Sequence, residues 1–181
     1  MMDSPLWLAA LLIFAYLVGS LRTSMLFRNL KPGFVFWSLD FLRGALAVFC
    51  LSEIGQPLFQ PWLDFGSAGM GVTAAFAALF LAVVGHAYSP WKRFQSEVPD
   101  VVFLGGLVWL APIPVAGWLV AWFLALRVTE QAPVSRMIGL LVASILQVSI
   151  YPLDYRIWLF GASAFAILWA FEPELDFLLQ D

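Results

Sequence analysis

Charge, cysteine and histidine are scarce in this 181-residue chain, and each scarcity closes off a class of protein. Only 12% of the residues are charged and 62% are hydrophobic, whereas a soluble domain carries nearer ~25% charged residues. Most of such a chain cannot face water, and the bilayer is its solvent. The single cysteine, Cys50, excludes an internal disulfide and any thiolate cluster for zinc or iron–sulfur. With one histidine, His86, and no nucleotide-binding loop, neither a metal nor a cofactor is expected. Nine basic residues stand against twelve acidic ones, and they are scattered, which argues against a nucleic-acid partner.

Long apolar stretches are what the chain has instead. Backbone inside hydrocarbon must satisfy its own hydrogen bonds, and crossing about 30 Å of it takes about 20 helical residues. The stretches Pro5–Leu21, Phe34–Leu51, Phe65–Gly85, Val101–Leu126, Val134–Tyr151 and Ile157–Phe171 are therefore read as helices. The first has no basic residue before it and no small-residue cleavage site after it, so it is read as a retained span, not a signal peptide. Val101–Leu126 is interrupted by Pro112, Pro114 and Gly117, making it one kinked span or a hairpin of two short ones.

Charge placement chooses the hairpin, because Lys and Arg of short loops collect on the cytoplasmic side. With seven spans and the N-terminus outside, Arg22, Arg28, Lys31, Arg43, Lys92, Arg93, Arg127 and Arg136 all lie at the cytoplasmic end, and only Arg156 lies outside. With six spans Arg127 and Arg136 would sit opposite Lys92 and Arg93, and that asymmetry weakens. The expected fold is an all-α integral membrane protein, a compact bundle of about seven short transmembrane helices forming a single domain over residues 1–181. Its N-terminus lies outside, and residues 172–181 form a short acidic cytoplasmic tail.

Three strings at the predicted inner face carry a family resemblance. Ala15–Ser20 closes the first span with Gly19 and Ser20. Leu39–Val48, reading Asp40-Phe41-Leu42-Arg43-Gly44-Ala45-Leu46-Ala47-Val48, is similar to a D-x-x-K-G-A-x-A-V helix. Val84–Tyr88 holds Gly85 and His86, with Pro90 following, where the pattern is G-H-x-x-P. Together with Ser135 in Thr129–Ser135, these strings resemble the bacterial acyl-phosphate glycerol-3-phosphate acyltransferases of phospholipid synthesis. The resemblance implies a compact seven-helix fold in the bacterial inner (plasma) membrane, with Ser20, Asp40, Arg43, Gly85, His86, Arg93 and Ser135 lining an inner cleft.

The glycine-rich loops of that family are missing. The chain passes from Ser20 to Phe34 without a G-S-G-N segment, so no nest of backbone N–H groups forms there. After His86 the family's lysines and glycines give way to Phe94-Gln95-Ser96-Glu97-Val98-Pro99-Asp100. Glu97 and Asp100 would repel a dianionic phosphate. The C-terminus is acidic where the family's is basic.

Each residue also has a plainer reading. Asp40 and Arg43 share a helix face and pair structurally, His86 hydrogen-bonds a neighbouring helix, and Lys92, Arg127 and Arg136 either set topology or grip an anionic lipid headgroup. Trp109, Trp118, Trp122 and Trp169 face lipid, a partner protein or an embedded hydrophobic ligand, with lipid contact the plainer reading. The leading expectation is thus a non-catalytic derivative of the acyltransferase scaffold, binding membrane lipid or assembling with other membrane protein subunits through the acidic tail. The alternative is an active acyltransferase with altered substrates, working through His86, Arg43, Arg93 and Ser135.

The topology is checked by cysteine labelling in a Cys50→Ser background. An impermeant maleimide applied outside intact cells is expected to modify Gln56→Cys and spare Ser96→Cys; the reverse pattern overturns the orientation.

Overall fold

The computed structural model describes residues 4–21, 34–50, 70–90, 99–151 and 155–178. Among them are seven α-helices and no strand: α1 Ser4–Ser20, α2 Phe34–Phe49, α3 Met70–Ala87, α4 Asp100–Leu110, α5 Pro112–Thr129, α6 Ala132–Ile150 and α7 Tyr155–Leu178. Among the described residues, α5 and α6 are each long and apolar enough to cross a membrane by themselves; α4, with 11 residues, is about 16 Å long at 1.5 Å per residue.

The Val101–Leu126 stretch is two helices. It breaks at Ala111 (φ -150°, ψ 76°), which precedes Pro112 at the start of α5. A residue before proline is pushed out of the helical region, and a proline in the first turn loses no helical hydrogen bond. Pro112 and Pro114 therefore start α5 while ending α4. The other end of α5 stops at Glu130, which takes a left-handed conformation (φ 56°) that few non-glycine residues adopt. Two residues, Glu130 and Gln131, suffice to turn the chain into α6.

Two departures from the sequence reading concern the end of the last helix and the place of Trp118. The last helix runs on past Phe171 to Leu178, taking part of the acidic tail with it; one missing N–H at Pro173 does not stop it, because the residues beyond are mostly good helix formers. Trp118, read as lipid-facing, is only 1% exposed. It packs on Phe103 of α4 (ring centroids 6.0 Å apart), which in turn meets Phe160 of α7 at 5.4 Å. Trp109 and Trp169 do face outward.

Close backbone contact sets the helix positions. A Cβ on Gly44 of α2 would run into the carbonyl oxygen of Val102, and one on Gly105 of α4 into that of Phe41. On the other side, a Cβ on Gly19 of α1 would strike the Ala82 carbonyl, and one on Gly85 of α3 the Tyr16 carbonyl. Without hydrophobic drive between helices in lipid, such small-residue approaches are what let them associate. Gly44→Ala is therefore expected to lower the stability of the detergent-solubilised protein by about 1–3 kcal/mol through overpacking. Gly161→Ala, where nothing lies within 4 Å of the added atom, is expected to leave the melting temperature unchanged or raise it slightly. Equal melting temperatures for Gly44→Ala and the unaltered chain would refute this account of the α2–α4 contact.

Candidate functional site

Two groups of candidate residues gather at the helix ends predicted to face inward. The first joins α1 to α3. Tyr16 Oη donates to the Tyr88 carbonyl at 3.2 Å, and Ser89 Oγ donates to the Ser20 carbonyl at 2.8 Å. Ser20 and Ser89 are buried, and Gly85 lies against the Tyr16–Ser20 turn, with half-buried His86 next in the chain. The first and third strings of the family pattern thus pack on one another. Their glycines permit the approach and their polar atoms tie the ends.

The second group joins α2, α4, α5 and α6. Asp40 and Arg43 form an ion pair at 2.9 Å one turn apart on α2. Asp100, in the first turn of α4 and 4% exposed, accepts a hydrogen bond from the Val101 N–H at 2.9 Å, where a carboxylate is favoured by the helix dipole. Its other oxygen lies 3.4 Å from Nε of Arg136 on α6. The Arg136 guanidinium stands 5.3 Å over the Trp37 ring, which stacks on Trp122 at 5.6 Å. Ser135, fully buried, donates to the Gln131 carbonyl at 2.7 Å and lies 3.0 Å from the Thr129 hydroxyl, so it braces the α5–α6 turn.

Beneath Asp100 and Arg136 lies a cavity of about 450 Å³. Its walls come from Trp37, Ser38, Phe41 and Leu42 of α2, Val101 and Leu104 of α4, and Val115, Trp118, Leu119 and Trp122 of α5. The α5 residues fall on successive turns of one face. From Trp122 to Val115 they run about 10 Å along the helix axis. Apart from the polar end the lining is apolar, which suits hydrocarbon.

The structure therefore sorts the sequence candidates. Arg136 and Asp100 come together at the cavity, whereas Ser20, Gly85 and His86 belong to the α1–α3 junction. Arg127 stands on the exposed end of α5 over the Phe123 ring at 5.2 Å and is not among the residues lining this cavity. Lys92, Arg93, Arg22, Arg28, Lys31 and Glu97 lie outside the described residues. Sequence reasoning missed the pairing of Asp100 with Arg136 and the wall built by Trp37, while for Trp118 and Trp122 an embedded hydrophobic ligand was one of the readings it offered. The one available signal was the apolar face Val115, Trp118, Leu119, Trp122 at helical spacing.

The family model described as glycerol-3-phosphate acyltransferase matches residues 26–181. Among curated relatives, a glycerol-3-phosphate acyltransferase of Sinorhizobium fredii is 27% identical over 100 residues, 55% of this chain and 48% of that protein. One of Wolinella succinogenes is 29% identical over 102 residues, 56% of this chain and 42% of the relative. The chain thus spans about half the length of these relatives. A longer match, to glycerol-3-phosphate acyltransferase 2 of Moorella thermoacetica, is 26% identical over 185 residues and covers 88% of this chain and 87% of that one. A crystal structure of PlsY, an integral membrane glycerol 3-phosphate acyltransferase, in its lysophosphatidic acid form superposes with TM-score 0.78 at 17% identity, covering 96% and 92% of the two chains. Its glycerol 3-phosphate form gives TM-score 0.75.

These findings overturn the expectation of a non-catalytic scaffold. That expectation rested on the loss of two glycine-rich loops and of a basic tail, and on the carboxylates of Glu97 and Asp100 standing where a phosphate would be held. Asp100 is instead placed at a helix start and paired with Arg136, which balances its charge. The relatives that match the chain carry the name of an acyltransferase.

Proposed function

Because the chain belongs to the glycerol-3-phosphate acyltransferase family, we propose that it is an integral membrane acyltransferase of phospholipid synthesis with altered substrates. The observation that carries this reading is the family match over residues 26–181. The apolar cavity supports it as a place for an acyl chain, although His86 and Arg43 are not among its lining residues.

The reaction moves an acyl group from a phosphate carrier to a hydroxyl of a glycerol phosphate. Catalysis needs the donor carbonyl held near the acceptor, a group to take the hydroxyl proton, and positive charge where the carbonyl oxygen becomes negative. His86 is assigned the proton, and Arg43 with Arg93 the charge. Ser135 is a bracing residue in this reading, because its own proton is engaged by the Gln131 carbonyl. The protein sits in a bacterial inner membrane with its N-terminus outside and the acyl-transfer end cytoplasmic, as the placement of basic residues favours. The acidic end, residues 172–181, is then available on the cytoplasmic side to dock other membrane proteins.

The test is acyl transfer by the purified full chain in lipid, with acyl phosphates of several chain lengths and glycerol 3-phosphate. Turnover is expected, and His86→Ala is expected to lower kcat by at least about 100-fold while the protein still elutes as a folded species. No transfer at any chain length, or full activity in His86→Ala, would contradict the proposal.

A further inference from the structure

Two helix ends meet where His86 stands, and they meet in an unfavourable sense. α1 stops at Ser20 and α3 at Ala87, and the Ser89 hydroxyl reaches the Ser20 carbonyl, so the two C-termini lie side by side. Each carries about half a negative charge from its aligned peptide groups, and like ends repel. Each also leaves its last carbonyls without a helical partner. The chain answers with a reciprocal pair of bonds between the two ends. Tyr16 of α1 donates across to the Tyr88 carbonyl, just beyond α3, at 3.2 Å. Ser89, also beyond α3, donates back to the Ser20 carbonyl at 2.8 Å.

His86 lies inside this span, in the last turn of α3. On one side of it, Gly85 rests against the Tyr16 carbonyl so closely that a Cβ would collide. On the other, Ala87 and Ser89 are buried, and residues 88 and 89 make the two cross-bonds. A last turn is ordinarily the part of a helix that frays first, whereas a group that exchanges a proton must stand within hydrogen-bond reach of its target. Neither cross-bond is needed to close α3 itself, whose final turn is closed by the Tyr88 N–H donating to the Val84 carbonyl at 2.8 Å. Their effect falls on how that turn sits against α1.

We propose that Tyr16 and Ser89 are positioning residues for His86: together they form a strut from α1 that holds the imidazole in one place. Its consequence for catalysis rests on the acyl-transfer reading, in which His86 takes the hydroxyl proton; the strut itself does not.

Histidine occurs once in the chain. The full chain, carrying isotope-labelled histidine and purified without a histidine tag, therefore gives a single imidazole NMR signal in nanodiscs. Its order parameter is expected in the rigid range, about 0.85, for the unaltered chain and below about 0.6 for the Tyr16→Phe, Ser89→Ala double variant. Should that variant not fold, Tyr16→Phe alone, which keeps the ring, is read in the same way. Ser163→Ala removes an equally buried hydroxyl that bonds only within its own helix, and it is expected to change neither this signal nor turnover. In acyl transfer the double variant is expected to lose about 10- to 100-fold in kcat, with KM within about threefold. It loses nothing further where His86→Ala is already present. An imidazole that stays rigid in the folded double variant overturns the strut. So does a kcat loss that recurs undiminished beside His86→Ala, or a Ser163→Ala variant that loosens the imidazole as much. If the unaltered chain does not turn over, the catalytic reading falls and the order parameter alone decides the strut.

Discussion

The contact between α2 and α4 fixes the rest of the inner end. Gly44 and Gly105 bring two helix backbones so close that a methyl group on either would meet the carbonyl oxygen of its neighbour, and Gly106 leaves room for the Leu79 and Val48 side chains beside them. Lipid supplies no hydrophobic reason for two apolar helices to meet, so the contact depends on dispersion across a near-complete fit. Its consequence lies on either side of the crossing. Trp37, Ser38 and Phe41 on α2 are set opposite Asp100, Val101 and Leu104 on α4, and α5 closes the gap at a distance that side chains do not fill.

The α5–α6 hairpin supplies the other wall by a related device. Gly139 of α6 lies beneath the Trp118 indole, where any larger residue would collide with the ring. Trp118 is thereby drawn into the core, to Phe103 and Phe160, and its inner flank becomes part of the cavity wall. At the turn, Thr129 donates to the Ala125 carbonyl, accepts from the Gln131 N–H, and meets the Ser135 hydroxyl. These bonds satisfy groups that two helix ends leave open. They also fix the first turn of α6, and with it the position from which Arg136 reaches Asp100.

Sequence made some of this legible and not the rest, for identifiable reasons. Helices were readable because apolar runs of bilayer length admit little else, and the hairpin was readable because Pro112 both ends one helix and begins the next. The Asp40–Arg43 pair was readable because a spacing of three residues on a helix brings side chains together. The Asp100–Arg136 pair was not, since two separate helices must first pack before those residues meet. For the same reason Trp118 read as lipid-facing: nothing in its own helix distinguishes the face that Gly139 admits. Function was misjudged through the loops, where a missing glycine run was weighed as a missing activity, although the charge of the inner end is also set by helix-borne residues.

Pairing alters how this inner end can hold a ligand. Arg43 lies against Asp40, and Arg136 against Asp100. Each guanidinium thus brings hydrogen-bond donors with little net field, and a paired charge attracts a distant anion far less than a free one. Steering by charge is weak at the described part of the site. Affinity must then come from hydrocarbon entering the slot, at about 25 cal/mol for each Å² of apolar surface removed from water, with the paired groups fixing orientation more than strength. A ligand already dissolved in the bilayer has left water before it arrives, so even that gain shrinks to the difference between lipid and cavity packing. What distinguishes one lipid from another in such a slot is therefore fit, chain shape against Trp118, Leu119 and Val115.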